Sequence, residues 1–225
     1  MQSVRILENS VVGDTLHHLV LDTVETDLHQ GYTKPGQYVQ LTVGDARPAY
    51  MAIASAPGAG PFEFLIQSTD GTAGDICAQE AGAEILVSAP MGNGFDMSII
   101  QAKTPLFFVT GTGISAIRAV IESQDWSDTG ARLYYGAFTP ADMAYRDRFE
   151  NWASRGVEIH AVMSNASGDD WDGETGFVQD VYAQNPIKDG SEAALVLCGA
   201  KIMCEQATAM LVEAGMPPEH ALTNY

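Results

Sequence analysis

Basic residues are scarce in this chain. Lysine and arginine together number 11 against 29 aspartates and glutamates in 225 residues, a formal net charge of −18. So acidic a chain is not expected to take nucleic acid or an anionic membrane surface as a general partner. The charge describes either a solvated acidic surface or a docking face for a basic partner, and it says nothing about the fold. Cysteine is nearly absent. Cys77, Cys198 and Cys204 are too few and too scattered for a disulfide framework, a zinc site or an iron–sulfur cluster. A reduced, cytoplasmic setting is the expectation. The five histidines, His17, His18, His29, His160 and His220, show no ligand spacing, so no metal is expected. No apolar run is long enough to span a bilayer, and Met1 to Glu8 lack the basic-then-apolar pattern of a secretion signal. Internal repeats and low-complexity tracts are missing too.

What is present divides into two patterns. Hydrophobic residues make up 46% of the chain, enough for a substantial core. From about residue 3 to about 90 the chain reads as short strands separated by Gly/Pro turns. Val39, Leu41 and Val43 alternate with Gln40 and Thr42, as in a half-buried antiparallel strand, and residues 61–67 and 83–88 are further strands. One helical candidate, about 72–79, interrupts them. This pattern predicts an antiparallel β-barrel. After Phe95, apolar strands at 105–109, 132–136, 157–162 and 194–198 alternate with helical segments, which predicts a doubly wound parallel sheet. One of those helices is expected to open at Thr139-Pro140 and to carry Tyr145, Phe149 and Trp152 on one face. The last carries Met203, Ala207, Met210, Leu211 and Ala214 and stops at Gly215. The boundary falls near residues 98–103, giving domains 1–98 and 99–225.

The stretch 107–121 joins strand, glycine turn and helix. Phe107-Phe108-Val109 runs into Thr110-Gly111-Thr112-Gly113, and Ile114, Ile117, Val120 and Ile121 then share one helical face. Such a turn brings backbone N–H groups and a helix N-terminus toward an anion, commonly a nucleotide phosphate. An unliganded strand–turn–helix answers the same pattern.

Several motifs in order resemble the ferredoxin–NADP reductase superfamily over nearly the whole chain. They are Pro35-Gly36-Gln37-Tyr38-Val39, Pro90-Met91-Gly92-Asn93-Gly94-Phe95, and Gly111-Thr112-Gly113-Ile114-Ser115-Ala116, the last with Ala116 where the family has proline. Tyr135-Gly136-Ala137, Gly176-Phe177-Val178 and Cys198-Gly199-Ala200-Lys201-Ile202-Met203 complete the set. The plant fruit-protein branch and the dihydroorotate dehydrogenase electron-transfer subunit are the nearest types. The resemblance implies a flavin on the barrel, FAD above FMN, and NAD(P)H on the second domain, with hydride transfer between nicotinamide and flavin. It implies that Gly111, Thr112, Gly113 and Ile114 cradle the dinucleotide, and that Cys198, Gly199 and Met203 lie beside the nicotinamide. It further implies that electrons pass to a small acceptor or to a redox protein, any one-electron partner being a separate protein since an intrinsic cluster is missing. Phe138 packs on adenine or in the core. The loop after residue 136 has Asp142 close behind it where a basic residue would favour NADPH, so NADH is the expected nucleotide.

The family's flavin signature, Arg-x-Tyr-Ser, is displaced here. Aligning Ile53-Ala54-Ser55 with its usual ending sets Ala49, Met51 and Ala52 in the Arg, Tyr and Ser places, with Arg47 and Tyr50 out of register. A one-residue slip in a strand turns a side chain to the opposite face. Either a bulge restores Arg47 and Tyr50, or Gly71, Thr72 and Gly74 hold the phosphate at a helix start, or flavin is lost. The last case makes the chain a non-catalytic nucleotide sensor or scaffold. The terminal segment, 221–225, is either a frayed tail or brings Tyr225 over the flavin, where ring stacking contributes about 0.5–1.5 kcal/mol. In the second case Tyr225 gates the nicotinamide: deleting it is expected to shift the flavin absorption band and tighten nicotinamide binding. Spectral titration decides between them, an unchanged spectrum and affinity meaning that the ring does not touch the site.

Overall fold

The computed structural model describes residues 1–165 and 171–224. Its first half is a six-stranded antiparallel sheet built from β1 (Gln2–Val11), β2 (Leu16–Leu21), β3 (Tyr38–Thr42), β4 (Ala49–Ala52), β5 (Phe62–Gln67) and β6 (Glu84–Val87). The strand order is β4-β3-β6-β1-β2-β5. The two edge strands approach each other, and just beyond β4 the Ala54 N–H donates to the Glu63 carbonyl at 2.7 Å, so the sheet nearly closes on itself. Inward residues Val4, Ile6, Leu19, Leu21, Val39, Leu41, Phe62, Phe64 and Ile85 fill it. Two short helices, α1 (Asp27–Gly31) and α2 (Thr72–Cys77), contribute Leu28 and Ile76 to the same core.

Helix α3 (Met97–Ala102), capped by Asp96 accepting from the Ser98 N–H at 3.0 Å, leads into the second sheet. That sheet is wholly parallel: β7 (Thr104–Thr110), β8 (Arg132–Ala137), β9 (Glu158–Met163), β10 (Glu174–Thr175), β11 (Ala193–Cys198) and β12 (Ala221–Thr223), in the order β10-β9-β8-β7-β11-β12. Helices α4 (Ile114–Ile121) and α5 (Phe149–Ser154) cover one face, with Phe107, Val109, Leu133 and Tyr135 beneath them. Helices α6 (Val178–Gln184) and α7 (Lys201–Glu213) cover the other, against Leu106, Phe108, Tyr134 and Leu197. The barrel followed by a doubly wound sheet is the architecture that the two sequence patterns predict.

Two local expectations are corrected. The helix expected from Thr139 is broken into 3₁₀ turns at Pro140–Asp142 and Arg146–Arg148 before α5 begins. Thr139 stands at the N-cap position of the first turn, where the Asp142 carboxylate accepts from its N–H and its Oγ1 at 3.0 and 2.7 Å. Between the turns Tyr145 adopts φ 61°, and its ring lies under the Arg118 guanidinium, 4.9 Å from centroid to Cζ. A tertiary contact thus overrides the local helical pattern. At the other end, residues 221–223 are not a loose tail: β12 pairs in parallel with β11, Leu195 opposite Ala221 and Leu197 opposite Thr223.

Every residue of α4 is buried, because the helix is clamped between its own sheet and the barrel. Leu16 and Leu65 from the barrel share a hydrophobic cluster with Ile114, Ile117 and Ile121. Within this apolar seam sits Arg118, 2% exposed. Its Nη2 donates to Glu63 Oε2 of β5 at 2.7 Å and its Nε to Glu122 Oε2 at 3.1 Å. His18 Nε2 meets the same Glu63 oxygen at 2.9 Å, and Arg148 lies 3.3 Å from Glu122. Burial raises the Glu63 carboxyl, but the hydrogen bonds from His18 and Arg118 outweigh it and hold the group down at about 2. Because folding lowers this value, its contribution is whole above the ordinary 4.5 and is lost as pH falls from there toward 2. Glu63→Gln is therefore expected to lower stability at neutral pH by about 3 kcal/mol, and the gap should close on acidification to pH 2. Urea unfolding of both proteins at several pH values checks it; a gap independent of pH would refute the assignment.

Candidate functional site

The strand order reverses between β7 and β11, which start their crossovers in opposite directions. In open α/β sheets that point leaves a crevice beyond the carboxyl ends of the two strands. Here β7 ends at Thr110 and β11 at Cys198, and the crevice between them is a cleft of about 990 Å³. Its floor is the 3₁₀ turn Gly111–Gly113, which passes without a break into α4. The first N–H groups of a helical segment have no partner within the helix, so this turn offers donors to a ligand.

Two glycines are dictated by crowding. A Cβ on Gly113 would stand 2.5 Å from the Cys198 carbonyl oxygen, so only glycine lets the turn lie against the end of β11. Gly199 has φ 136°, and a Cβ there would strike Thr110 at Oγ1, N and O. The Thr110 hydroxyl is committed as well, accepting from the Ala200 N–H at 2.7 Å and so tying the two strand ends together. Both glycines therefore let the turn and the two strand ends pack against one another with no side chain between them.

The walls come from the loops after β8, β9 and β10 and from α6 and α7. Phe138, Phe177 and Ile202 line the cleft and remain 62%, 61% and 60% exposed. Large apolar side chains so placed around one crevice mark a binding surface. Asp142, Ser164, Asp180 and Met203 also line it, and Leu16 and Gln67 reach it from the barrel. Gln179 is 8% exposed; its Nε2 donates to Gln206 Oε1 at 2.7 Å, while its own Oε1 is buried without a hydrogen-bond partner among the described residues. An unpaired buried acceptor costs about 1–3 kcal/mol, and a ligand hydroxyl or amine would relieve it. None of the described lining residues is lysine or arginine.

Of the residues singled out in the sequence, Gly111, Thr112, Gly113, Phe138, Gly199 and Met203 come together in this cleft. Ile114 does not line it: as the first residue of α4 it is buried in the core cluster, and its N–H bonds back to Gly111. Cys198 is half-buried outside the lining, with its thiol donating to Asn224 Oδ1 at 3.6 Å. Burial, assisted by Cys204, pushes that thiol up to about 12, so at neutral pH it stays protonated and is a poor nucleophile. Tyr225 lies outside the described residues. Phe177, Ile202, Gln179 and Gln206 were not singled out. Phe177 and Ile202 carry one signal, an apolar residue at a helix start that lies off the buried stripe; the two glutamines carry none.

The barrel residues form a separate group. Tyr50 is 64% exposed on the outer face of β4, its ring edge-on to Tyr38 at 5.7 Å, and the Arg47 side chain is exposed just before the strand. Met51, opposite Val39, packs against the barrel core, and Ala52 packs against the cluster of the second half. Thr72 Oγ1 is already spent on the Arg47 carbonyl at 2.6 Å, and Gly74 is held against the Thr69 carbonyl. Gly71, at φ 84°, precedes α2.

Comparisons with known proteins agree with this geometry. The family model of the oxidoreductase NAD-binding domain matches residues 107–209. The chain is 36% identical over 229 residues to the fruit protein pKIWI502 of Actinidia deliciosa, covering 93% of this chain and 72% of that protein. It is 29% identical to ferredoxin–NADP reductase B of Sorangium cellulosum, covering 82% of each. A ferredoxin NADP⁺ reductase from Neisseria gonorrhoeae, solved with bound FAD and NADP, superposes with a TM-score of 0.79 over 95% of this chain and 91% of that one at 17% identity.

Gly199→Ala is expected to destabilise the fold by about 3 kcal/mol, since it adds both a left-handed strain and a clash with Thr110. Phe138→Ala, at an exposed site, is expected to stay within about 0.5 kcal/mol of the parent. Denaturant unfolding of the two variants side by side checks the contrast.

Proposed function

The chain belongs to the ferredoxin–NADP reductase superfamily, and from that premise we propose that it is a flavin-dependent NADH oxidoreductase that hands electrons on to a redox protein. The observation that carries the reading is the glycine-floored cleft at the β7/β11 reversal, where Gly113 and Gly199 let the turn and the two strand ends pack together with no side chain between them. These residues fit a dinucleotide. The Gly111–Gly113 turn would bind the pyrophosphate, Phe138 and Phe177 would pack on the adenine end, and Gln179 Oε1 would accept from a nucleotide hydroxyl or amine. Gly199 would let the nicotinamide ring lie against the backbone at the end of β11, with the protonated Cys198 packed behind it.

For the flavin the barrel residues fit in part. The exposed Tyr50 ring offers a flat face, and Arg47 offers a guanidinium to a phosphate. The Thr72 hydroxyl is engaged inside the protein, so at Gly71, Thr72 and Gly74 only the backbone N–H groups at the start of α2 would serve a phosphate. Bound flavin, FAD in this reading, supplies the acceptor for a hydride leaving nicotinamide. The protein's part is to orient the two rings and exclude water. The described helices include none long and apolar enough to cross a membrane, and the reading assigns a cytoplasmic setting. A family member that binds nucleotide without flavin is the competing reading, favoured by Met51 turning into the barrel core.

NADH is preferred because a 2′-phosphate needs a cation, and the lining offers Asp142 and Asp180 instead. Arg146, four residues past Asp142, is stacked over Trp171 at 5.5 Å, and Lys201, between Ala200 and Ile202, pairs with Glu205 at 3.6 Å. Initial rates are expected to favour NADH over NADPH by at least about tenfold in kcat/KM, roughly the 1.4 kcal/mol of one charge-assisted hydrogen bond. The purified protein is expected to be yellow and to release FAD on denaturation. A protein that stays colourless after incubation with FAD and FMN yet binds NADH would favour the flavin-free reading.

A further inference from the structure

The buried ion cluster lies directly behind the cleft, on the same elements. Strand β2 sends Leu16 to the cleft and His18 to the cluster; β5 sends Gln67 to the cleft and Glu63 to the cluster. The 3₁₀ turn and α4 form one continuous unit that sends Gly113 to the cleft and Arg118 to the cluster. Arg118 thus ties the barrel to the helix that carries the nucleotide cradle. We propose that Arg118 is a positioning residue, setting the angle between the barrel and the cradle so that nicotinamide and flavin meet in register. The inference rests on the functional reading above.

The apolar contacts of Leu16, Leu65 and Ile117 hold the halves together, but such contacts have no preferred direction. The guanidinium does: Nη2 points at Glu63 and Nε at Glu122, 2.7 and 3.1 Å away. Tyr145 closes the cage from the second half, held at φ 61° with its ring under the same group. A non-glycine residue persists there only when its surroundings over-determine it. Arg148, 3.3 Å from Glu122, and Trp152 Nε1, donating to that carboxylate at 3.0 Å, fix the far side.

The test uses the whole chain and needs no flavin. Residual dipolar couplings of backbone amides in the parent are expected to fit one alignment tensor across both halves. In Arg118→Gln each half should still fit its own fold, but the two halves should require different tensors. Glu63→Gln, which leaves the guanidinium paired with Glu122, should act in the same direction and decides the matter if the first variant does not fold. One common tensor in the folded variants overturns the proposal. In flavin-loaded protein, Arg118→Gln should slow reduction by NADH at least tenfold and leave the NADH dissociation constant within twofold; equal rates overturn it too. A parent that takes up no flavin overturns the functional reading instead, and the couplings alone then decide on Arg118.

Discussion

A guanidinium that is 2% exposed has to be paired where it stands, and the position of Arg118 organises the molecule around that requirement. Its partners come from different parts of the chain, Glu63 from the barrel and Glu122 from the end of its own helix. Without Glu63 the guanidinium would be held only by a carboxylate at the end of its own helix, and nothing charged would tie it to the barrel. The pairing therefore selects one docking of barrel on sheet among the many that non-directional burial would tolerate. It also explains a broken helix: the chain between Thr139 and Phe149 gives up regular structure to bring Tyr145 and Arg148 to the same cluster.

The cleft follows from a different constraint, the reversal of strand order. Two parallel strands whose crossovers leave on opposite faces cannot have their carboxyl ends covered by either helix layer. The chain meets this opening with glycine at both strand ends and with a single threonine hydroxyl joining them. Little of the cleft wall is charged, and what charge there is comes from aspartates.

Much of this was readable in the sequence, for reasons that differ by element. The alternation in β3 and the all-apolar run of β7 are direct consequences of one-sided and two-sided burial, so the two kinds of sheet could be told apart. Glycines 113 and 199 were readable because backbone crowding admits no substitute, and Gly111 because its φ of 54° favours glycine. The break at Tyr145 was not, since its cause is an arginine 27 positions earlier that no local pattern reveals. Strand β12 was missed for a like reason: three residues carry no periodicity, and only the open edge of β11 makes them a strand. Phe177 and Ile202 escaped because an apolar residue at a helix start reads as core until its exposure is seen. On the barrel, the displaced Arg47 and Tyr50 were legible as a departure, while the inward turn of Met51 followed only from its pairing with Val39.

The lining without lysine or arginine has a kinetic side. A nucleotide pyrophosphate approaching this cleft meets backbone donors only at contact range, and before that it crosses the field of a molecule carrying −18. Encounter between like charges is slowed at a distance and eased by salt, whose ions shorten that field to about 10 Å at 0.1 M. On the proposed reading, capture of nucleotide would become faster as ionic strength rises, the reverse of the steering that a basic lining gives. A basic redox partner would feel the same field with the opposite sign, so salt sets the balance between the two traffics.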